Sequence, residues 1–417
     1  MSSTARNTTP VLETPETTHL ATAQSAVIYQ RITSVDLLRG LVMVVMALDH
    51  TRDFFSNAFF NPLDLTQTTT ALFFTRWITH FCAPVFVLLA GTGAYLYGSR
   101  GRTNVEVSRF LFTRGLFLIM VEFTLVHFGW FFSFDYHFLL AQVIWAIGWS
   151  MVVLAGLIAL RMPLWALATF GIAMITGHNL FDNVNADELG KLRWIWIILH
   201  QPRIIEFGRG RQMLAFYSLV PWIGVMAVGY SLGPILLKSP DERRRWLLGL
   251  GAVLTLAFII IRWINIYGDP QRWFPQPSPW LTFLSFINTS KYPPSLLFLL
   301  MTLGPALLFL VIFDRVNIGN PFARVLTVFG RVPLFYYVLH LSLIHAVAVV
   351  FSYVRYGTAP WLFSTDWMFR MNLPEGYGYN LPIVYLVWLG VVILLYPACY
   401  WYARFKQNWY AWWLSYF

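Results

Sequence analysis

The stretch Ser34-Val-Asp-Leu-Leu-Arg-Gly-Leu-Val-Met-Val-Val-Met-Ala-Leu-Asp-His-Thr-Arg-Asp53 decides the fold class of this chain. It is long enough to cross a bilayer as one helix. Its ionisable side chains are Asp36, Arg39, Asp49, His50, Arg52 and Asp53. Because a charge in hydrocarbon is costly, such residues normally face a protein interior or a cavity and serve a function. At 100° per residue, Arg39 and His50 lie about 20° apart around the helix and roughly 16 Å apart along it. The stretch therefore predicts one transmembrane helix with a cation near one surface and an imidazole towards the other, on a single face.

The composition of the whole chain points the same way. Of its 417 residues, 58% are hydrophobic and only 12% are charged, whereas soluble domains carry about 25% charged residues. The apolar residues also fall into blocks of about 20, the length of a transmembrane helix. We therefore predict an all-α fold, a polytopic membrane helix bundle. In such a protein the net charge of +10 is typical of cytoplasmic loops and does not indicate nucleic-acid binding.

Hydropathy predicts about ten transmembrane helices in the chain. They cover approximately residues 35–55, 76–98, 108–131, 137–160, 163–181, 213–237, 245–267, 292–313, 332–354 and 382–403. Lys and Arg concentrate in the short loops after the even-numbered spans, which places both termini in the cytoplasm. We expect residues 1–30 to form a disordered cytoplasmic tail, 31–405 a single membrane domain, and 406–417 an aromatic tail at the inner interface.

Histidines recur at one depth of the predicted bundle. Six fall in its outer leaflet or at the outer interface, and they are His50, His80, His127, His137, His178 and His345. Polar groups in a membrane bundle face each other or water, so this distribution favours a shared polar cavity over separate structural roles. A metal site is the competing interpretation. Since the chain has no HxH, HxxH or HExxH spacing, we expect no metal.

The cytoplasmic end of the first span has a different character. Asp36 and Arg39 are three residues apart, close enough to pair on a helix. One interpretation is an arginine that extends to the interface. The other is a docking charge for an anionic ligand, because guanidinium binds phosphate well.

These motifs resemble a known family of membrane enzymes. Arg39, ten intervening residues and His50 resemble the Arg-x10-His signature of integral-membrane acyltransferases, and further stretches resemble the catalytic domain of heparan-α-glucosaminide N-acetyltransferases and their bacterial relatives. Those stretches are Ser34–Gly40, His80–Gly91, Gln142–Gly148, Pro221–Met226, Lys291–Ser295 and Gly330–Tyr337. The resemblance implies transfer of an acyl group, typically acetyl from cytoplasmic acetyl-CoA, to a sugar or glycan hydroxyl or amine outside a bacterial inner membrane. A homo-oligomer is a further expectation.

The resemblance also implies roles for particular residues. Arg39, helped by Arg331, would bind the phosphates of the donor, and Asp36, the expected partner of Arg39, would belong to the same donor-binding site. The lysosomal enzyme has asparagine at the position of His50 and its catalytic histidine in the first lumenal loop, whereas the loop 54–79 here has no histidine. The catalytic base would therefore be His50 or His80, with Asp49 or Asp53 orienting the imidazole. Apart from the resemblance, the residues themselves make His127, His137 and His345 candidates for lining the cavity, and Lys291, Tyr336 and His340 candidates for binding the oxyanion.

Two points stay open at this stage. The imidazole can act as a base in direct transfer or can itself take the acyl group. Intramembrane His, Glu122 and Arg residues would also fit a proton-coupled transporter, although the paired halves typical of such transporters are not detectable. A glycan enzyme that works on lipid-linked substrates without CoA is a third interpretation.

Overall fold

The apolar blocks of the sequence form long helices. The computed structural model describes residues 32–317, 319–409 and 414. Within this part, eight helical segments are long and apolar enough to cross a membrane, namely Thr70–Gly98, Asn104–Phe131, Leu164–Phe181, Leu219–Leu236, Pro240–Ile264, Leu296–Phe313, Pro333–Tyr356 and Leu381–Asn408. The predicted all-α polytopic bundle is thereby confirmed. The predicted tail 1–30 and most of the aromatic tail lie outside the described residues, and 406–408 continue the last helix.

The α-helices are numbered here in chain order. They are α1 (Thr33–Phe55), α2 (Thr70–Ile78), α3 (Cys82–Gly98), α4 (Asn104–Val121), α5 (His127–Phe131), α6 (Val143–Ala159), α7 (Leu164–Gly177), α8 (Arg193–Leu199), α9 (Leu219–Leu236), α10 (Pro240–Ile264), α11 (Pro279–Ile287), α12 (Leu296–Phe313), α13 (Pro321–Arg331), α14 (Pro333–Tyr356) and α15 (Leu381–Asn408). The remaining two predicted spans correspond to α1, which carries the charges, and α6, which has 17 residues.

A small sheet departs from the prediction. Its strands are β1 (Phe138–Ala141), β2 (Ile204–Glu206) and β3 (Gln212–Ala215), in the order β1-β3-β2, with β1 parallel and β2 antiparallel to β3. The predicted helices 137–160 and 213–237 therefore begin as strands, and their helices start only at Val143 and Leu219. A short apolar run does not distinguish a buried strand from the start of a helix, so hydropathy alone extended both helices too far.

Helix α1 lies inside the bundle, packed against α3, α12, α13, α14 and α15. Its crossing with α13 is very close, because a Cβ on Gly40 would lie 1.9 Å from the Leu326 carbonyl oxygen, and one on Gly330 would lie 1.9 Å from that of Asp36. Small residues permit such approaches between membrane helices. Arg331 ends α13 and Pro333 begins α14, so the stretch Gly330–Tyr337 is divided between two helices.

Candidate active site

His50 lies near the end of α1 in a pocket of aromatic rings. Its ring centroid is 5.0 Å from that of Trp130, 5.2 Å from that of His340 and 6.4 Å from that of Tyr337. The side chain is buried at 9% exposure. Its Nδ1 atom lies 3.8 Å from Oδ2 of Asp53, one helical turn further on. The carboxylate that faces this imidazole is therefore that of Asp53.

The carboxylate of Asp49 is engaged elsewhere. Nη1 of Arg76, from α2, donates to both of its oxygens at 2.8 and 2.6 Å, and Nη1 of Arg52 lies 2.8 Å from Oδ1. Arg52 also donates from Nη2 to Asp53 at 2.6 Å. Charges of opposite sign thus alternate from Arg76 through Asp49, Arg52 and Asp53 to the imidazole. Such a network fixes the geometry around His50, because buried ion pairs are costly to break.

Lys291 reaches the same region from the loop before α12, and it is buried. Asp269 holds this loop, since its carboxylate accepts from the backbone N–H of Ser290 at 2.9 Å and from the hydroxyl groups of Ser290 and Ser295 at 2.8 and 2.7 Å. Burial raises the pKa of Asp269, and the hydrogen bonds from the serines act in the opposite direction. The hydrogen bonds to Asp269 therefore fix the position of the loop that carries the ammonium group of Lys291.

Two cavities meet at one partition inside the bundle. The smaller has a volume of about 30 Å³, and its lining includes Asp49, His50 and Lys291. The larger has a volume of about 400 Å³, within the usual range for ligand pockets. Both are lined by Phe86, Val143 and Tyr337. We call these three side chains the partition. His50, in the smaller cavity, lies on one side of the partition, and the large cavity lies on the other.

The large cavity has a basic end. Its lining includes Asp36 and Arg39 from α1, Arg100 from the end of α3, and Arg114 from α4. Nη1 of Arg39 lies 3.5 Å from Oδ1 of Asp36, which confirms the predicted pair, and it donates to the carbonyl of Gly330 at 3.3 Å. The rest of the lining is largely apolar. A molecule with an anionic head and a long uncharged arm fits this distribution of charge.

Residues 31–267 match the family model of the catalytic domain of heparan-alpha-glucosaminide N-acetyltransferase, which is more than half of the chain. The chain belongs to this family. No individually curated protein matches it. Family membership, together with the apolar helices, makes the protein a transmembrane acyltransferase, and the match contains α1 with Arg39 and His50.

The structure does not gather the predicted histidines into one cavity. His80 packs against Phe298, His127 contacts the Asp135 carbonyl, and His137 is exposed and paired with the Asp135 side chain. His345 stacks on Phe132. Of the histidines in the described residues, only His50 lines the smaller cavity. The position of each histidine along its predicted span can be read from the sequence, whereas the neighbouring helix that its side chain meets cannot.

Three further predicted residues lie beside the cavities without lining them. Tyr336 is buried and stacks on His340, whose Nδ1 contacts the Tyr336 carbonyl at 3.0 Å. Arg331 is absent from the lining of the large cavity. His340 nevertheless touches the site, through its ring contact with His50.

Sequence reasoning missed several residues that line the site or hold its charges. They are Arg76, Arg100, Arg114, Phe86, Val143 and Tyr337. Arg100 had a signal in the sequence, because the positive-inside rule predicts that the arginines after the second span lie on the same side of the membrane as Arg39. Tyr337 follows Tyr336 directly, and only the rotation of α14 decides which of the two faces the cavities.

Proposed function

We propose that this acyltransferase moves an acetyl group from acetyl-CoA in the large cavity to a sugar or glycan hydroxyl or amine on the other side of the membrane. One observation carries the proposal: three arginines line the large cavity, and His50 lines the smaller cavity, which shares three lining side chains with it. Phosphates of the donor would pair with Arg39, Arg100 and Arg114. The apolar remainder of the cavity would surround the uncharged arm.

His50 is the proposed base. Nδ1 faces Asp53, which leaves Nε2 to take the proton from the acceptor hydroxyl or amine as its oxygen or nitrogen attacks the thioester carbonyl. The carbon–sulfur bond then breaks, and the proton passes from the imidazolium to the departing thiolate. In the alternative route the imidazole itself takes the acetyl group and the acceptor attacks acetyl-imidazole. The same residue serves both routes.

Lys291 is the proposed partner of the developing oxyanion. It lines the smaller cavity together with His50 and Tyr337. A fixed ammonium group stabilises negative charge on a carbonyl oxygen strongly in a site that excludes water. Asp53 would stabilise the positive charge on the imidazole in the same step. These roles replace the broader set of oxyanion candidates considered from the sequence.

The orientation in the membrane follows from the positive-inside rule. We propose that Arg39, Arg100 and Arg114 face the cytoplasm, where acetyl-CoA is available, and that both termini lie on the same side. Under this proposal the smaller cavity opens to the acceptor outside a bacterial inner membrane. A homo-oligomer stays a prediction. The transporter interpretation loses support, because the chain belongs to an acyltransferase family.

Incubation of purified protein with radiolabelled acetyl-CoA and a panel of oligosaccharides tests the proposal. We expect label on an acceptor and a loss of at least about 100-fold in rate for His50→Ala. Asp64→Asn, at a half-buried position that lines neither cavity, is the control and should keep the wild-type rate. Absence of transfer to every acceptor, or full transfer by His50→Ala, would contradict the assignment.

A further inference from the structure

A second group of polar side chains lies at the end of α7, away from the cavities. His178 begins a short 3-10 turn (His178–Phe181) that follows this helix, Asp182 comes directly after the turn, and His200 follows α8. One ligand atom from each side chain lies within 4.8 Å of the others. Nε2 of His200 is 3.2 Å from Oδ1 of Asp182. Two imidazoles and a carboxylate therefore converge on one point.

The imidazoles in this group are deeply buried. His178 is 3% exposed and His200 is 4% exposed. No described residue makes a short hydrogen bond to a ring nitrogen of His178, although the ring also faces the backbone carbonyl of Pro294. A buried polar group without a close partner is destabilising, so a bound ligand at this point would satisfy the ring nitrogen of His178 that does not face Pro294.

The carboxylate in the group is already oriented. Nδ2 of Asn179 donates to Oδ2 of Asp182 at 2.9 Å, and Oδ1 of Asn179 accepts from the backbone N–H of Leu296 at 2.9 Å. These contacts leave Oδ1 of Asp182 to face His200. Hydrogen bonds that orient a ligating carboxylate are typical of metal centres. They also connect the group to the first residue of α12.

The chemistry of the group matches a divalent transition metal. Zinc binds imidazole nitrogen and carboxylate oxygen at about 2.0–2.2 Å, and a tetrahedral arrangement places its ligands roughly 3.3 Å apart. The separation of 3.2 Å between His200 and Asp182 is close to that value and is also that of an ordinary ion pair, while the ligand atom of His178 lies within 4.8 Å of both. Magnesium and calcium prefer oxygen ligands throughout and are less suited to two imidazoles.

We propose that His178, Asp182 and His200 bind a divalent transition metal of the zinc class. The ion would connect the loop 182–212 to the C-terminal end of α7. This point lies next to the first residue of α12 and the loop that contains Lys291. A water molecule or another donor would complete the coordination. The spacing of histidines in the sequence led us to expect no metal, because His178 and His200 belong to different elements and only the fold brings them together.

Metal analysis of the full chain, purified with a tag free of histidine and without chelators, tests the site. We expect about one zinc-class ion per chain. His178→Ala and Asp182→Asn should weaken binding by about 10- to 100-fold or more. His137→Ala, which removes a histidine from the exposed pair with Asp135, is the matched control and should keep the metal. Retention of a full equivalent by His178→Ala would overturn the assignment.

Measurements on the wild-type protein test the metal site even if the variants do not fold. Chelator treatment should lower Tm, and added zinc should restore it. Cobalt added to the chelated protein should give the intense visible absorption of a tetrahedral site with nitrogen and oxygen ligands. If the protein binds neither ion and its Tm does not change, the group is a hydrogen-bonded cluster and the proposal is wrong. Neither readout depends on acyl transfer, so the two proposals fail independently.

Discussion

Asp53 places one carboxylate oxygen 3.8 Å from Nδ1 of His50 while its other oxygen accepts a 2.6 Å hydrogen bond from Arg52. From the sequence alone, Asp49 and Asp53 were equal candidates for orienting the imidazole. The separation is long for a hydrogen bond, but catalytic hydrogen bonds often tighten only when substrate binds. We therefore expect Asp53 to orient the imidazole of His50 and Asp49 to hold Arg76 and Arg52 in place.

Asp53→Asn should lower kcat by about 100- to 10,000-fold, because the amide cannot stabilise the imidazolium and favours the wrong tautomer. The KM for acetyl-CoA should change little, since Asp53 lies beyond the partition. Steady-state kinetics measure both values, with Asp64→Asn as the control. An unchanged kcat for Asp53→Asn would show that this carboxylate does not orient His50.

Asp49→Asn should act mainly on stability. The substitution leaves Arg76 and Arg52 without their shared carboxylate, and removing one partner of a buried ion pair costs about 3–5 kcal/mol. Thermal unfolding in detergent should therefore show a clear fall in Tm. A variant with wild-type Tm and a kcat as low as that of Asp53→Asn would reverse the roles of the two aspartates.

Arg114→Ala should raise the KM for acetyl-CoA about 10- to 100-fold, since a hydrogen bond to a charged group contributes about 1.5–3 kcal/mol. Arg109→Ala is the matched control, because Arg109 lies on the same helix but is exposed and does not line the cavity. The kcat should be similar in both variants. An equal rise in KM for the two would indicate general electrostatic attraction instead of a phosphate site.

Val143→Trp should separate donor binding from transfer. The larger side chain would fill the partition between the cavities, so acetyl-CoA would still bind near the arginines but would not present its thioester to His50. We expect kcat to fall by at least about 100-fold, with the affinity for CoA within a few-fold of wild type. Val143→Ala, at the same position, should keep transfer.

Calorimetric titration with CoA measures the affinity of the Val143 variants, and radiolabel transfer measures their rate. If Val143→Trp transfers acetyl at the wild-type rate, the route between the two cavities does not pass the partition. If it loses CoA binding and transfer together, the substitution has disturbed the large cavity and the route assignment loses its support.

Gly40→Ala should destabilise the bundle, because the new Cβ would lie 1.9 Å from the Leu326 carbonyl oxygen and would force α1 and α13 apart. Overpacking costs typically about 1–3 kcal/mol. Gly156→Ala, within α6, is the control: its Cβ would meet nothing within 4 Å, so Tm should stay the same or rise. Equal Tm values for Gly40→Ala and wild type would contradict the close crossing.

The sequence by itself determined the class of the fold and placed Arg39 and His50 on one face of the first helix. Long apolar blocks with few charges have only one stable solution in lipid, a helix that satisfies its own backbone. Within the first of these helices, the fixed period of 3.6 residues placed Arg39 and His50 on one face before any neighbour was known. The pairing of Asp36 with Arg39 followed from the same geometry.

Only the tertiary structure decided which side chains meet between elements. It assigned Asp49 to Arg76 and Asp53 to His50, turned Tyr337 instead of Tyr336 towards the cavities, and made strands of residues 138–141 and 212–215. It also brought His200 to Asp182. The physical reason is the range of the interactions: helical periodicity fixes directions within one element, whereas the rotation of each helix and the course of each loop depend on packing against residues far away in the chain.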